Sequence, residues 1–139
     1  MSLLRINIDN IKKVFVLEDA QDRVDFFTEI FGNISYFITA NVDVAIKALN
    51  ETKFDLIFLD HDLEELELIE DSPKVINYDK RTGLDVARVL RDTINCETPC
   101  IVHSMNSIGS GNMIKAHPFN TIHIPYHQLR KCFEKEEKI

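Results

Sequence analysis

The run FDLIFLDHDL, residues 54–63, is apolar over most of its length and ends on two carboxylates and an imidazole, Asp60, His61 and Asp62. A second apolar run, KVFVLED (13–19), ends on Glu18 and Asp19. A third, PCIVHSM (99–105), delivers His103 and Ser104, with Asn106 just behind them. Carboxylates gathered in a small space repel one another and resist desolvation unless protons or a cation compensate them. A hard divalent ion is the simplest compensation. Magnesium takes about six oxygens and usually keeps several waters, so two or three carboxylates suffice. Each acid alone has a plainer use, because a carboxylate at a helix start stabilises the exposed N–H groups there. Taken together, Glu18, Asp19 and Asp60 favour the metal.

Such a site needs strands that end side by side. ISYFITA (34–40) and a weaker NTIHI (120–124) bring the apolar runs to five. Between them lie stretches of helical spacing, in which Val24, Phe27 and Phe31 share a face, as do Ala45, Ala48 and Leu49, and Val86, Val89 and Leu90. Leu129, Cys132 and Phe133 do the same near the C-terminus. Apolar strands alternating with helices indicate an α/β fold with a parallel sheet covered on both faces. Five repeats predict a doubly wound, flavodoxin-like sheet of order 2-1-3-4-5. Right-handed crossovers then bring every strand's carboxyl end to one edge, where ligands bind in such sheets.

Two segments disturb the rhythm. EELELIEDSPKVINYDKRT (64–82) is far longer than the usual connection of ~2–6 residues, and reads either as a solvated insertion or as a lid over the ligand edge. SIGSGN (107–112) reads either as a phosphate cradle or as a flexible loop before the fourth helix. Strand alternation sets His61 and His103 out of step with Asp60 and Ser104. His117, before Pro118, and His123, between Ile122 and Ile124, read as structural.

With 139 residues and 45% hydrophobic content, the chain suits one domain spanning 1–139. Its 23 acidic and 16 basic side chains, net −7, disfavour general affinity for nucleic-acid backbones. No apolar run approaches membrane-spanning length, and MSLLRINIDN is a poor secretory signal. Cys96, Cys100 and Cys132 show no CxxC spacing. These features predict a cytoplasmic protein with reduced thiols and no membrane partner.

VFVLEDAQDRVDFF, FDLIFLDHDL, TGLDVARVL, TPCIVHSMN and IPYHQL, in that order from about residue 13 to 135, resemble the receiver domains of bacterial response regulators. The resemblance implies that Glu18 and Asp19 are the acidic pair that holds magnesium and that Asp60 accepts a phosphoryl group. It implies that Ser104 contacts that phosphoryl and that Asp62 lines the pocket. Receivers also carry a Lys just before the Pro-aromatic pair, and here Ile124 stands in that slot. Lys80, Arg81 and Lys115 are the cations left to reach in. Asp60-His61-Asp62, VHSMN and the long insertion resemble a divergent receiver-like family proposed to process cyclic phosphates.

Opening a cyclic phosphodiester requires a metal, a base for water and an acid for the leaving oxygen, and histidine can serve as either of the last two near neutral pH. The leading expectation is therefore a Mg2+ (or Mn2+) site that binds or hydrolyses a small phosphate ester, with cyclic phosphates and cyclic-phosphate nucleic-acid ends among its candidates. Glu18, Asp19, Asp60 and Asp62 would serve the metal, Asp60, His61 and His103 the catalysis, and Ser104 and Asn106 the phosphate. One alternative is a receiver phosphorylated on Asp60 by a phosphodonor, working with a partner signalling protein. Another is a pseudo-receiver that binds a partner protein without phosphate chemistry.

Overall fold

A computed structural model describes residues 10–63, 66–69, 72–75 and 81–133. The apolar runs become β1 (Lys13–Leu17), β2 (Ser35–Thr39), β3 (Leu56–Leu59), β6 (Cys100–Val102) and β7 (Thr121–His123), with a hairpin of β4 (Leu66–Ile69) and β5 (Ser72–Val75) between the third and fourth. Those five pair in parallel in the order β2-β1-β3-β6-β7, the expected 2-1-3-4-5. Five helices connect them: α1 (Gln21–Ile30), α2 (Val42–Glu51), α3 (Gly83–Leu90), α4 (Ser107–Ala116) and α5 (Tyr126–Cys132).

The strands are apolar throughout because alternate side chains enter two different cores. Phe15, Leu17, Ile57, Leu59 and Val102 pack with Leu49 of α2, Leu90 of α3 and Met113 of α4. Val14, Val16, Phe58 and Ile101 pack with Phe27 of α1, its C-cap Phe31 and Leu129 of α5. Helices α1 and α5 therefore cover one face of the sheet, and α2, α3 and α4 the other. One fully buried polar residue ties the second of these faces together. Asn95 accepts from the Phe54 N–H at 2.8 Å and donates to the Leu49 and Thr52 carbonyls, each at 2.7 Å.

The structure differs from the sequence expectation in two places. The long insertion carries order of its own, since β4 and β5 pair antiparallel from Leu66↔Val75 to Ile69↔Ser72. Lys80 lies outside the described residues. SIGSGN is not a loop but the opening of α4. Asn106 starts that helix as its N-cap, its side-chain oxygen accepting the Gly109 N–H at 2.9 Å. The glycines that suggested a loop sit where the helix begins, and Gly109 is there because α4 packs tightly on the neighbouring strand end. A Cβ at Gly109 would fall 2.5 Å from His61 Cγ.

Helix α3 is set by the same strand end. Thr82 and Asp85 form a capping box, and the Gly83 N–H donates to the His61 carbonyl at 2.9 Å. A Cβ at Gly83 would fall 1.8 Å from the Asp60 carbonyl oxygen, so only glycine admits this approach. Among the described residues the cysteines are free, and no helix is long and apolar enough to cross a membrane.

Candidate metal and phosphate site

The parallel register aligns Val16 with Phe58 and Phe58 with Ile101 across β1, β3 and β6. Two residues further along each chain stand Glu18, Asp60 and His103, on the same face by strand alternation. Their backbone ladder continues, with Asp60 N–H donating to Leu17 O and His103 N–H to Leu59 O, each at 3.0 Å. All three side chains are buried, and one ligand atom from each lies within 4.8 Å of the others. Asp60 thus shares its row with His103 rather than with Ser104. Asp19, His61 and Ser104 belong to the opposite phase.

Each member of the row is held in place. Glu18 Oε2 accepts the Asp19 and Ala20 N–H groups at 2.9 and 3.1 Å, which serves the start of α1, where Ala20 offers no side-chain cap. Its Oε1 lies 2.9 Å from His103 Nε2. The helix-start and metal readings of Glu18 are therefore compatible, since each uses a different oxygen. Asp60 Oδ1 accepts the His61 N–H at 2.9 Å. The His103 ring sits edge-on to Phe27 and Phe58, with centroids 5.2 and 6.4 Å away.

Burial sets the protonation of the row. It pushes the Asp60 carboxyl up to about 7, and the negative Glu18 beside it adds to the rise. Burial also raises Glu18, against the N–H groups and Arg23 that pull it down. His103 is pushed down to about 4, again chiefly by burial, so its ring is neutral at neutral pH. In that neutral ring Nε2–H donates to Glu18, while Nδ1 is buried without a hydrogen-bond partner among the described residues.

Over the row opens a cleft of about 250 Å3. Among the described residues it is lined by Glu18, Asp19, Ala20, Arg23, Asp60, Asp62, Ser104 and Met105. All four expected carboxylates therefore reach it, although Asp19 and Asp62 stand outside the tight cluster. Asp62 Oδ1 accepts from His61 Nδ1 at 2.7 Å and from Asn106 Nδ2 at 3.2 Å. Burial raises the Asp62 carboxyl, but these hydrogen bonds outweigh it and hold it below the usual range.

Two of the expected site residues have partners other than the cleft. Asn106, expected at the phosphate, uses its oxygen to cap α4 and its amide to hold Asp62. His103, expected as an acid or base, is wholly buried and reaches Glu18 rather than lining the cleft. His61 is likewise outside the described cleft lining, but it is only partly buried and lies beside the lining residue Asp62. Its Nδ1 faces Asp62, so the Nδ1–H tautomer leaves the Nε2 lone pair available. His123 has the structural use expected of it, with Nε2 donating to the Ser104 carbonyl at 2.8 Å.

The cations also differ from expectation. Ile124 is buried in the α1/α5 core, so its slot carries no charge into the cleft. Arg81 pairs with Asp43 at the surface, and Lys115 is exposed in the last turn of α4, outside the described cleft lining. The guanidinium at the row belongs to Arg23, with Nη1 3.6 Å from Glu18 Oε1 and 3.9 Å from Asp60 Oδ2. Sequence reasoning missed it, although its place in the first turn of the helix after Glu18-Asp19 aims it at the same edge.

A family model described as "Cyclic-phosphate processing Receiver domain" matches residues 5–117. Comparison with curated proteins finds no match. Among solved structures, a CheY-like receiver domain protein from Methanospirillum hungatei JF-1 is 14% identical, with TM-score 0.61 over 88% of this chain and 90% of that one. The receiver domain of a sensor histidine kinase from Pseudomonas aeruginosa PAO1, with magnesium coordinated in its active-site cleft, is 14% identical, with TM-score 0.62 over 88% and 96%. A response regulator from Burkholderia pseudomallei with a phosphorylated aspartic acid and a calcium ion is 14% identical, with TM-score 0.61 over 88% of this chain and 66% of that one. At such identities these likenesses establish the receiver fold alone.

Proposed function

The chain belongs to the cyclic-phosphate processing receiver domains, and on that premise we propose that its carboxyl-edge cleft is a metal-dependent site that binds and hydrolyses a phosphate ester, a cyclic phosphodiester in particular. The observation that carries this reading is the row Glu18, Asp60 and His103, whose ligand atoms converge within 4.8 Å beneath an open cleft.

The donor set fits a divalent ion. Two buried carboxylates supply hard oxygens suited to Mg2+ or Mn2+. Glu18 and Asp60 would hold the ion, with Asp19 and Asp62 at the cleft serving its waters. Bound there, the ion would neutralise phosphate charge and ease deprotonation of water.

The chain's own residues do the rest. His103 keeps Glu18 oriented through its Nε2 hydrogen bond. Asp62, held by Asn106, fixes the His61 tautomer so that Nε2 can take a proton from water. The water oxygen bonds to phosphorus as one ester P–O bond breaks, and the proton taken by His61 is the one the leaving oxygen needs. Ser104, at the cleft wall, offers its hydroxyl to a phosphate oxygen.

The test is incubation with Mg2+ or Mn2+ and a panel of 2′,3′- and 3′,5′-cyclic nucleotides. The expected result is metal-dependent opening of at least one of them, reduced by about a hundredfold or more in Asp60→Ala. No turnover with either metal, or turnover undiminished in Asp60→Ala, would overturn hydrolysis.

A second reading, phosphorylation of Asp60, draws support from the phosphorylated aspartate of the Burkholderia structure and the shared fold. Ile124 counts against it, because that position brings no cation to the phosphoryl group. Beryllofluoride separates the two readings, since only a phospho-accepting Asp60 should bind it and reorder the α4 region.

A further inference from the structure

The phosphate-site reading leaves one gap. An anion must enter a cleft faced by four carboxylates, Glu18, Asp19, Asp60 and Asp62, and the slot that would carry a cation holds Ile124. We propose that Arg23 is the anion-binding group of this site, supplied from α1 in place of the missing cation at the end of β7, and that its ligand is the oxyanion of a phosphate ester. The assignment rests on the phosphate-site reading and extends it to a residue outside the expected set.

Three observations carry it. First, Arg23 lines the cleft and is the one guanidinium or ammonium among its described lining residues. Second, its position is fixed before any ligand arrives. The Cζ atom lies 4.8 Å from the centroid of the Tyr126 ring, a cation–π contact, and Nη1 is ion-paired with Glu18 and Asp60. Tyr126 directly follows Pro125, so this contact delivers the charge of Arg23 to the segment where Ile124 has none.

Third, the group's contacts to the row are long ion pairs. Nη1 stands 3.6 and 3.9 Å from the two carboxylates, beyond hydrogen-bond length, and among the described residues the guanidinium donates no hydrogen bond. A planar fork of five N–H donors, held beside Tyr126 and carrying long ion pairs in place of hydrogen bonds, matches a phosphate oxyanion. A guanidinium serving only as a counterion for Glu18 and Asp60 would instead be expected to close bidentate bonds to them.

The geometry also ties Arg23 to the metal. Its charge occupies the neighbourhood of the carboxylates a divalent ion would use, so removing it should strengthen metal binding while weakening anion binding. Loss of folding would weaken both, which makes the opposite signs diagnostic.

The experiment measures Mn2+ affinity, and inorganic phosphate affinity in the presence of Mn2+, by titration calorimetry. The proteins are wild type, Arg23→Gln, Arg23→Lys and, as control, Lys115→Gln. The expected result for Arg23→Gln is phosphate binding weakened roughly tenfold or more, with Mn2+ binding equal or tighter. Arg23→Lys should fall between it and wild type, and Lys115→Gln should match wild type. In the wild type, the Arg23 Nε–Hε resonance should shift on phosphate addition. Equal phosphate affinity in wild type and Arg23→Gln would overturn the assignment while leaving the phosphate site standing. Absence of phosphate binding by the wild type would overturn the site reading and this assignment with it.

Discussion

Burial and the neighbouring Glu18 hold the Asp60 carboxyl at about 7, whereas an unfolded chain releases that proton near 3.8. Between those values the folded state binds more protons, so without metal this group costs stability as pH rises through the window. His103 acts in the opposite sense. Its folded value of about 4 lies below the ordinary 6.5, so stability rises with pH between the two. The wild-type profile mixes both effects, and Asp60→Asn removes the first. In chelator-treated protein, Asp60→Asn should gain on wild type as pH climbs from 4 to 8, by a total on the order of a few kcal/mol in urea unfolding. A difference independent of pH would contradict a raised Asp60. At this scale the sequence showed the right residue types but not their partners. Glu18, Asp60 and His103 form a row only once the register is known, and the register depends on neighbours distant in the chain. Arg23 was hidden for the same reason, because its contacts join α1 to the ends of β1 and β3 and to Tyr126.

Helix α4 links packing to chemistry through two glycines with different surroundings. Gly109 faces the His61 ring with no room for a methyl group, while Gly111 has nothing within 4 Å of a built Cβ. Gly111→Ala should therefore stabilise the protein by about 0.5–1 kcal/mol through helix propensity and leave turnover unchanged. Gly109→Ala should displace His61 from Asp62, shift the His61 imidazole resonances and lower turnover about tenfold or more. Equal behaviour of the two variants would contradict a close-packed, oriented His61. The parallel strands were legible at this scale because buried β1 and β3 are apolar on both faces. Helix α4 was not, because Ser and Gly are weak helix formers and the Asn106 cap is a single-residue signal. The β4–β5 hairpin was also hidden, since its short strands lie in acidic surroundings and β5 contains Pro73, a residue depleted from strands.

Across the whole molecule, the doubly wound sheet acts as a ruler. Three adjacent parallel strands end level, so residues far apart in sequence present one ligand atom each to the same small volume. The two cores hold those strands from opposite faces, and α1 brings the compensating guanidinium over the row. The family, the fold and the acidic edge were all legible from the order of short motifs and their positions at strand ends. The details that separate a phosphorelay from phosphate-ester chemistry were not, because they depend on which side chains face the cleft. The central claim is that Glu18, Asp60 and His103 mark a divalent-metal site, and a crystal soaked in Mn2+ tests it most directly through the anomalous signal. The expected result is one strong peak about 2.0–2.4 Å from the carboxylate oxygens of Glu18 and Asp60, absent in Asp60→Ala. A peak elsewhere, or none at saturating Mn2+ with Arg23 still against both carboxylates, would contradict it.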